Sequence, residues 1–376
     1  MSIEIKTVKT KKDLKKFIKL PFEIYKYSPN WIPLLIMDEL EIFNKKKNPA
    51  YEKSDSRLFI AYKDGKPAGR IVGIISHIAN EKYKTRNIRF GWFEAINDFE
   101  VCSALFNAIE NWGKENGIKT LTGPLGFTDL DPEGMMIQGF DEQPTIASNY
   151  NHPYYQILLE KYGFQKEIDY IEFRTKIPSE EQIPEKLLRI AERIKERSNL
   201  KVLGFKKKKD ITKRGMELFY LLDEAFDEIY GSVPLTDKQI QYYVKKYIPY
   251  VHKDILKAVV NEKDEMVGFM IAMPSLTKGF QKAKGRLIPF GWYHLLKALR
   301  TYNVLDFYLA GVKKKYRGMG VDLLMIIEIA KSANKMGFKY SESNLELETN
   351  TKIHALWKYF NPELHKKRRI FKKDIN

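Results

Sequence analysis

Hydrophobic positions along the chain recur with two periods, and the switch between them follows the same order twice. Residues 2–8 alternate polar and apolar, the period of a strand with one buried face. Leu14, Phe17, Ile18 and Phe22 then fall near one face of a helix over 11–27, and a second apolar helix covers 31–43 behind Ser28-Pro29-Asn30. Strands follow at 57–62 and 68–78, joined through Asp64-Gly65, and at 86–95. A helix over 98–116 stops at Gly117, a strand covers 118–123, and a loop opened by Pro124-Leu125-Gly126 runs to Pro144. A short helix over 154–162, ended by Gly163, and a strand over 166–177 complete the first half.

The order then starts again. A strand at 201–205 precedes helices at 211–230 and 237–247, and strands at 256–261 and 266–273 form a hairpin across Lys263-Asp264-Glu265. After an insertion at 274–303 come a strand over 304–312, a helix from Val321 to the stop at Gly337, a strand over 339–347, a helix over 351–360 and a last strand over 367–372. The predicted fold class is therefore mixed α+β or α/β, with two tandem domains, each a mixed sheet flanked by helices. The polar, proline-bounded stretch 178–185 marks the joint between domains at 1–178 and 179–376.

Composition narrows the partners. A chain of 376 residues with 44% hydrophobic and 13% aromatic residues is globular and long enough for two cores. The N-terminal stretch has no apolar segment and no run of about 18 apolar residues occurs, so a cytoplasmic protein is expected, with a peripheral position at the inner membrane face open to it. The single Cys102 excludes an internal disulfide and a cysteine-based zinc site, and the six histidines lack ligand spacing, so no metal is expected. The net charge of +17 calls for an anionic partner. Nucleic acid is not expected, because the basic runs 206–209 and 366–369 lie beside predicted strands and no binding module is recognisable.

Chemistry concentrates where the strand 304–312 passes through Tyr316-Arg317-Gly318-Met319-Gly320 into the helix at Val321. Glycines let the backbone approach a ligand, and the free N–H groups of a helix start, with the helix dipole, hold an anion. The element order and the Arg317-Gly318-Met319-Gly320 turn resemble the GNAT superfamily of acyl-CoA N-acyltransferases, over residues 201–372; Arg317, Gly320 and Asp322 stand at the three places of the family's pyrophosphate turn. The resemblance implies acyl-CoA as co-substrate, held by Val312, Lys314, Arg317, Gly318, Met319, Gly320, Val321 and Asn350. Asp322 departs from the family's small residue and is read as a helix cap, and Trp357 replaces the tyrosine that often protonates the leaving thiolate, leaving Tyr359 or His354 for that role. The first half matches in element order only, and its corresponding turn, residues 94–99, has no glycine and two carboxylates, so it is expected to bind no pyrophosphate.

N-acylation needs a group to take the amine proton. Glu346 and Glu348, alternating on one strand face, and Asp306 on the preceding strand are the candidate bases, with Tyr359 the remaining catalytic candidate. The loops at 123–141 and 148–155 hold more glycines, carboxylates and amides than a connection needs. They resemble loops of bacterial tandem GNAT-like proteins, some of which acylate sphingoid bases to ceramides, which implies that Asp129, Asp131, Glu133, Asn149, Asn151, Tyr154 and Tyr155 line an acceptor pocket between the domains. The insertion carries Lys278, Lys282, Lys284, Arg286, Lys297 and Arg300 and no carboxylate. Within it, Trp292, Leu295, Leu296 and Leu299 share one face of a helix over 291–300, a pattern that suits an anionic membrane surface or an acyl carrier protein. The expected function is transfer of an acyl group from acyl-CoA or acyl carrier protein to an amine, in lipid metabolism a sphingoid-type amine. The alternatives are a protein or small-molecule N-acetyltransferase and a non-catalytic CoA- or lipid-binding protein.

Overall fold

A computed structural model describes residues 2–301 and 303–375. Two compact units interleave along the chain: the first comprises Met1–Ile171, Leu276–Leu296 and His365–Asn376, the second Glu172–Ser275 and Lys297–Leu364. The halves expected on either side of residue 178 thus exchange segments, and most of the insertion assigned to the second domain lies in the first unit.

The first unit contains β1 (Ile3–Thr7), α1 (Lys11–Ile24), α2 (Ile36–Ile42), β2 (Ser54–Lys63), β3 (Lys66–Ser76), α3 (His77–Tyr83), β4 (Asn87–Ala95), α4 (Phe99–Glu115), β5 (Thr120–Gly123), β6 (Met135–Gln138), α5 (Tyr154–Tyr162) and the first part of β7 (Gln165–Lys176). Strands β1 to β4 pair antiparallel in sequence order, and β4 pairs parallel with β5. Val101, Leu105, Phe106 and Ile109 recur at helical spacing on α4 and bury one sheet face together with Ile71 and Phe90. Asp98 caps that helix, accepting from the N–H groups of Glu100 and Val101. Phe17 and Ile18 of α1 bury the other face against Leu58, Ile60 and Val72. The helix expected over 31–43 is shorter, Ile36–Ile42, with Leu35 extended at its N-cap.

The second unit contains α6 (Glu185–Ser198), β8 (Lys201–Leu203), α7 (Lys208–Phe226), α8 (Asp237–Tyr247), β9 (Leu256–Val260) and β10 (Met266–Pro274). Next along the chain come α9 (Thr277–Ala283) and α10 (Gly291–Arg300), which carry the insertion. The second unit resumes with β11 (Val304–Val312), α11 (Val321–Met336), β12 (Tyr340–Glu342), β13 (Glu346–Leu347) and α12 (Thr351–Trp357), before β14 (Glu363–Asp374) ends the chain. Strands β8 to β11 pair antiparallel, and β11 pairs parallel with β12. Helix α6 follows the predicted joint, in a stretch to which the sequence pattern assigns no element; its Leu187, Ala191 and Ile194 keep the i, i+4, i+7 spacing of a buried stripe, and it packs on α11.

Each sheet is completed by the strand that closes the other half of the sequence. In the first unit Phe371–Asp374 of β14 pairs antiparallel with β5, and in the second Arg174–Lys176 of β7 pairs antiparallel with β12. A bulge recurs at the same place in both sheets: one extra residue in β4 between the pairs Arg70 with Glu94 and Val72 with Gly91, and one in β11 between Ile271 with Leu309 and Ala272 with Phe307. Bulges bend a strand and re-aim its side chains; in β4 the bend is carried by Trp92, at φ 47°.

Candidate functional site

The double-glycine turn of the second unit is built for close approach. Beyond Val312 the chain makes a short 3-10 turn, Lys314–Tyr316, and Gly318 and Gly320 then take φ of 77° and 79°. Gly320 stands at the N-cap of α11 and has no side chain to answer the helix's first amides. Among the described residues the N–H groups of Gly318, Gly320, Val321 and Asp322 meet no protein acceptor, while that of Met319 donates to the Tyr316 carbonyl. The carboxylate of Asp322 accepts only from Leu323, at 3.0 Å, as a local cap. Four open amides at the positive end of a 16-residue helix form an anion cradle.

Arg317 does not extend freely from this turn. Its Nη1 lies 2.5 Å from Glu228 Oε2, Nη2 donates to the Ala225 carbonyl at 2.8 Å and Nε to that of Val312 at 3.3 Å. Lys314 also pairs with Glu228. The two cations hold the Glu228 carboxyl below its ordinary range, Lys314 contributing most. The sequence contained no signal for Glu228, which approaches the turn from 86 residues away. A phosphate entering the cradle competes with this carboxylate. Solvent screens exposed pairs of this kind, so Glu228→Gln is expected to tighten pyrophosphate binding at the cradle a few-fold at most, measured by titration calorimetry.

The candidate bases separate. Strand pairing between β11 and β12 stops at Asp306 with Glu342, whereas β11 runs on to Val312. Asn344 enters the parting, its side-chain amide donating a hydrogen bond to the Tyr308 carbonyl. Glu346 follows, mostly buried: Oε1 accepts from the Trp357 indole N–H at 2.6 Å and Oε2 lies 3.6 Å from His354 Nε2. Burial pushes its carboxyl up to about 8, against the smaller effect of the Trp357 bond. Burial, then Lys358, holds the His354 imidazole below its ordinary range, so a neutral ring faces this carboxyl. Trp357, which cannot act as an acid, thus orients the carboxyl and packs edge-on against Phe307 of β11. Glu348 is exposed, because the strand alternation expected to pair it with Glu346 ends at Leu347. Asp306 is fully buried in β11 and raises the Tyr308 phenol, after burial itself. Tyr359 is exposed with its ring 6.0 Å from Lys186 Nζ, and Asn350 caps α12 through the N–H of Ile353.

The loop residues of the first unit also divide. Asp131 accepts from the N–H groups of Phe127 and Thr128 and so pins its own loop. Glu133 is buried with Tyr170 at 3.1 Å and, through burial and then Asp129, is raised to about 8. Tyr154 donates to the Ala95 carbonyl. Asn149, Asn151 and Tyr155 instead line a cavity of about 60 Å³ whose walls belong to the first unit alone. Asn151 does so while clamping the Met136 backbone at 2.6 and 3.0 Å. Glu39, Arg70 and Glu94 also line it. Arg70 was legible as a lone charge in the apolar run 68–76; the meeting of the other two with it was not.

The architecture defines a tandem GNAT fold, the acyltransferase-type fold that the turn at Arg317 resembles. A tandem GNAT protein from the clavulanic acid biosynthesis pathway superposes on 100% of this chain and 99% of its own, with a TM-score of 0.56 at 10% identity. By sequence, Protein YghO of Escherichia coli (strain K12) is 27% identical over 384 residues, 99% of this chain and 95% of that protein. Bacterial ceramide synthase of Caulobacter vibrioides is 27% identical over 386 residues, 98% of this chain and 96% of its own. No protein-family model matches the chain.

Proposed function

We propose that this chain transfers an acyl group from a CoA thioester to an amine, with the chemistry in the second unit. The observation that carries the reading is the position of β11 between the amide cradle and Glu346. From Phe307, which touches the Trp357 ring that holds Glu346, to Val312 at the turn the strand advances five residues, about 17 Å at strand rise. That is the reach of a pantetheine arm between its phosphates and its thioester. Beyond Asp306 the edge of β11 has no strand partner among the described residues, so its backbone can pair with the amides of such an arm.

In this reading the amine nitrogen attacks the thioester carbon, and a β11 edge N–H answers the developing oxyanion. Glu346, in its ionised form, takes the proton the nitrogen loses. The C–S bond then breaks and the sulfur leaves as a thiolate, whose ordinary pKa near 8.5 makes a dedicated acid dispensable and accounts for Trp357 at a position where a tyrosine is not required. Acyl carrier protein as the donor is the variant of this reading that the basic insertion favours. The relative named bacterial ceramide synthase, similar along the full chain, supports a long-chain amine as the acceptor. Thiol release from acyl-CoA of graded chain length, with long-chain and short amines, tests this. Binding of CoA without thiol release for any amine would leave a CoA-binding protein and sink the transfer reading.

The insertion supports a membrane-facing role. Ile288 and Phe290 are 81% and 69% exposed, and Trp292, Tyr293 and Leu296 are exposed beside them, while Leu295 and Leu299 turn half inward. Five exposed apolar side chains among basic ones suit insertion into an anionic interface. Among the described residues no helix is long and apolar enough to cross a membrane. Phe290→Glu is expected to lower sedimentation with phosphatidylglycerol vesicles about tenfold; unchanged binding would remove the membrane reading.

A further inference from the structure

The first unit lacks the glycine turn but carries its own chemically distinctive cavity. Only three residues lining it are charged: Glu39, Arg70 and Glu94, and all three are more than nine-tenths buried. Glu94 Oε2 accepts from the phenols of Tyr25 and Tyr155, the latter at 2.8 Å. Its Oε1 accepts no hydrogen bond among the described residues and lies 3.9 Å from Arg70 Nη2. That guanidinium is already divided: Nη2 is 3.7 Å from Glu39 Oε1, Nη1 donates to the Phe17 carbonyl at 3.0 Å, and Nε has no partner. Two carboxylates against one guanidinium leave an excess negative charge in a buried site, a costly state unless a proton or a cation joins it.

The walls say which cation fits. Phe22, Trp31, Ile32 and Met135 are apolar, and Trp31 stacks on Tyr25 at 5.2 Å, presenting aromatic faces beside the carboxyl. Among the described residues no group of three metal-ligating side chains occurs, so a bare metal ion has too few ligands here. The volume of about 60 Å³ holds roughly two water-sized groups, enough for an ammonium and the carbon that bears it, with the rest of the chain outside. An anion is disfavoured because two carboxylates already face the single guanidinium. We propose that the first unit carries a binding site for the ammonium head of an alkylamine, with Glu94 as its counter-ion. This goes beyond the transfer reading, since none of these residues belongs to the second unit.

The charge balance gives the site a pH signature. The groups around Glu94 are Tyr25 at the C-cap of α1, Glu39 of α2, Arg70 of β3, and His152, Tyr154 and Tyr155 at and before α5. Burial, partly offset by Arg70, raises the Glu94 carboxyl to about 7. The proton it holds at pH 6 competes with the ammonium, whose own pKa near that of lysine keeps it charged throughout.

The test uses the full chain, with octylammonium chloride, ethanolammonium chloride and octanol as probes, read by titration calorimetry and by the fluorescence of Trp31 and Trp92 in the cavity wall. Octylammonium is expected to bind with one-to-one stoichiometry, about tenfold tighter at pH 8 than at pH 6 from the titration of Glu94 near 7, and octanol at least thirtyfold more weakly. Glu94→Gln is expected to weaken octylammonium at least tenfold and to flatten the pH dependence. Equal affinity for octanol, or a pH-independent affinity in the unaltered chain, overturns the proposal even where Glu94→Gln fails to fold. Ethanolammonium binding as tightly as octylammonium identifies a free small amine as the ligand, and a tenfold preference for octylammonium a lipid amine. Loss of thiol release with these affinities intact counts against the transfer reading alone.

Discussion

Replacing Glu346 with Gln is expected to lower kcat/KM for thiol release about a hundredfold or more, the usual contribution of a positioned general base. The isosteric amide retains a bond with the Trp357 indole, so CoA affinity is expected to change less than twofold. The pH profile separates a base from a merely structural residue. With the carboxyl at about 8, the base is mostly protonated at neutral pH, so kcat/KM rises with pH through about 8, and this limb disappears in the variant. Stability runs the other way. Folding raises this carboxyl from its ordinary 4.5 to about 8, so its stabilising contribution is complete below 4.5 and fades as pH climbs toward 8. The Tm of the unaltered chain is therefore expected to fall between pH 5 and pH 8 relative to Glu346→Gln. A variant with normal turnover would remove Glu346 from the mechanism.

Substituting Gly320 with Ala is expected to weaken CoA binding about tenfold or more. Gly320 sits at φ 79°, where an L-residue pays roughly 1–2 kcal/mol, and a Cβ there would lie 2.3 Å from Ile194 Cδ1 of α6. Because that atom is the far end of a flexible side chain, the helix can yield and the chain still folds, but the first amides of α11 shift from the cradle. Gly318→Ala is the internal comparison: its φ of 77° is similar, with nothing within 4 Å of the added carbon. The difference between the two variants measures the Ile194 contact, and Ile194→Ala added to Gly320→Ala should recover that difference and no more. Losses below twofold in both would show that CoA phosphates bind elsewhere.

The Ile194 contact comes from α6, a helix that the sequence pattern does not mark. Residues 185–198 carry eight charged side chains of fourteen, so the narrow apolar stripe of Leu187, Ala191 and Ile194 is overshadowed by polarity. Once α11 presents an apolar surface, that stripe is sufficient to dock it. In the same way the strand expected over 339–347 breaks into β12 and β13, because the parting from β11 ends the ladder on that side at Glu342. The turn at Arg317 was legible because glycine spacing, basic side chains and a helix start lie within ten residues. Glu228 and the cavity around Glu94 were not, since their members approach from distant positions.

The amino-acid order alone specified the doubled succession of strands and helices, the caps and turns that bound them, and the glycine cradle at Gly318 and Gly320. All of these are local, set by side-chain period, backbone freedom and free helix amides within a few residues. Only the folded chain decided that β14 completes the first sheet and β7 the second, that Glu346 is buried while Glu348 is exposed, and that Glu39 and Glu94 share one arginine. Those outcomes depend on which distant surfaces exclude water together, and a strand's own pattern states that it has a buried face without stating which partner covers it.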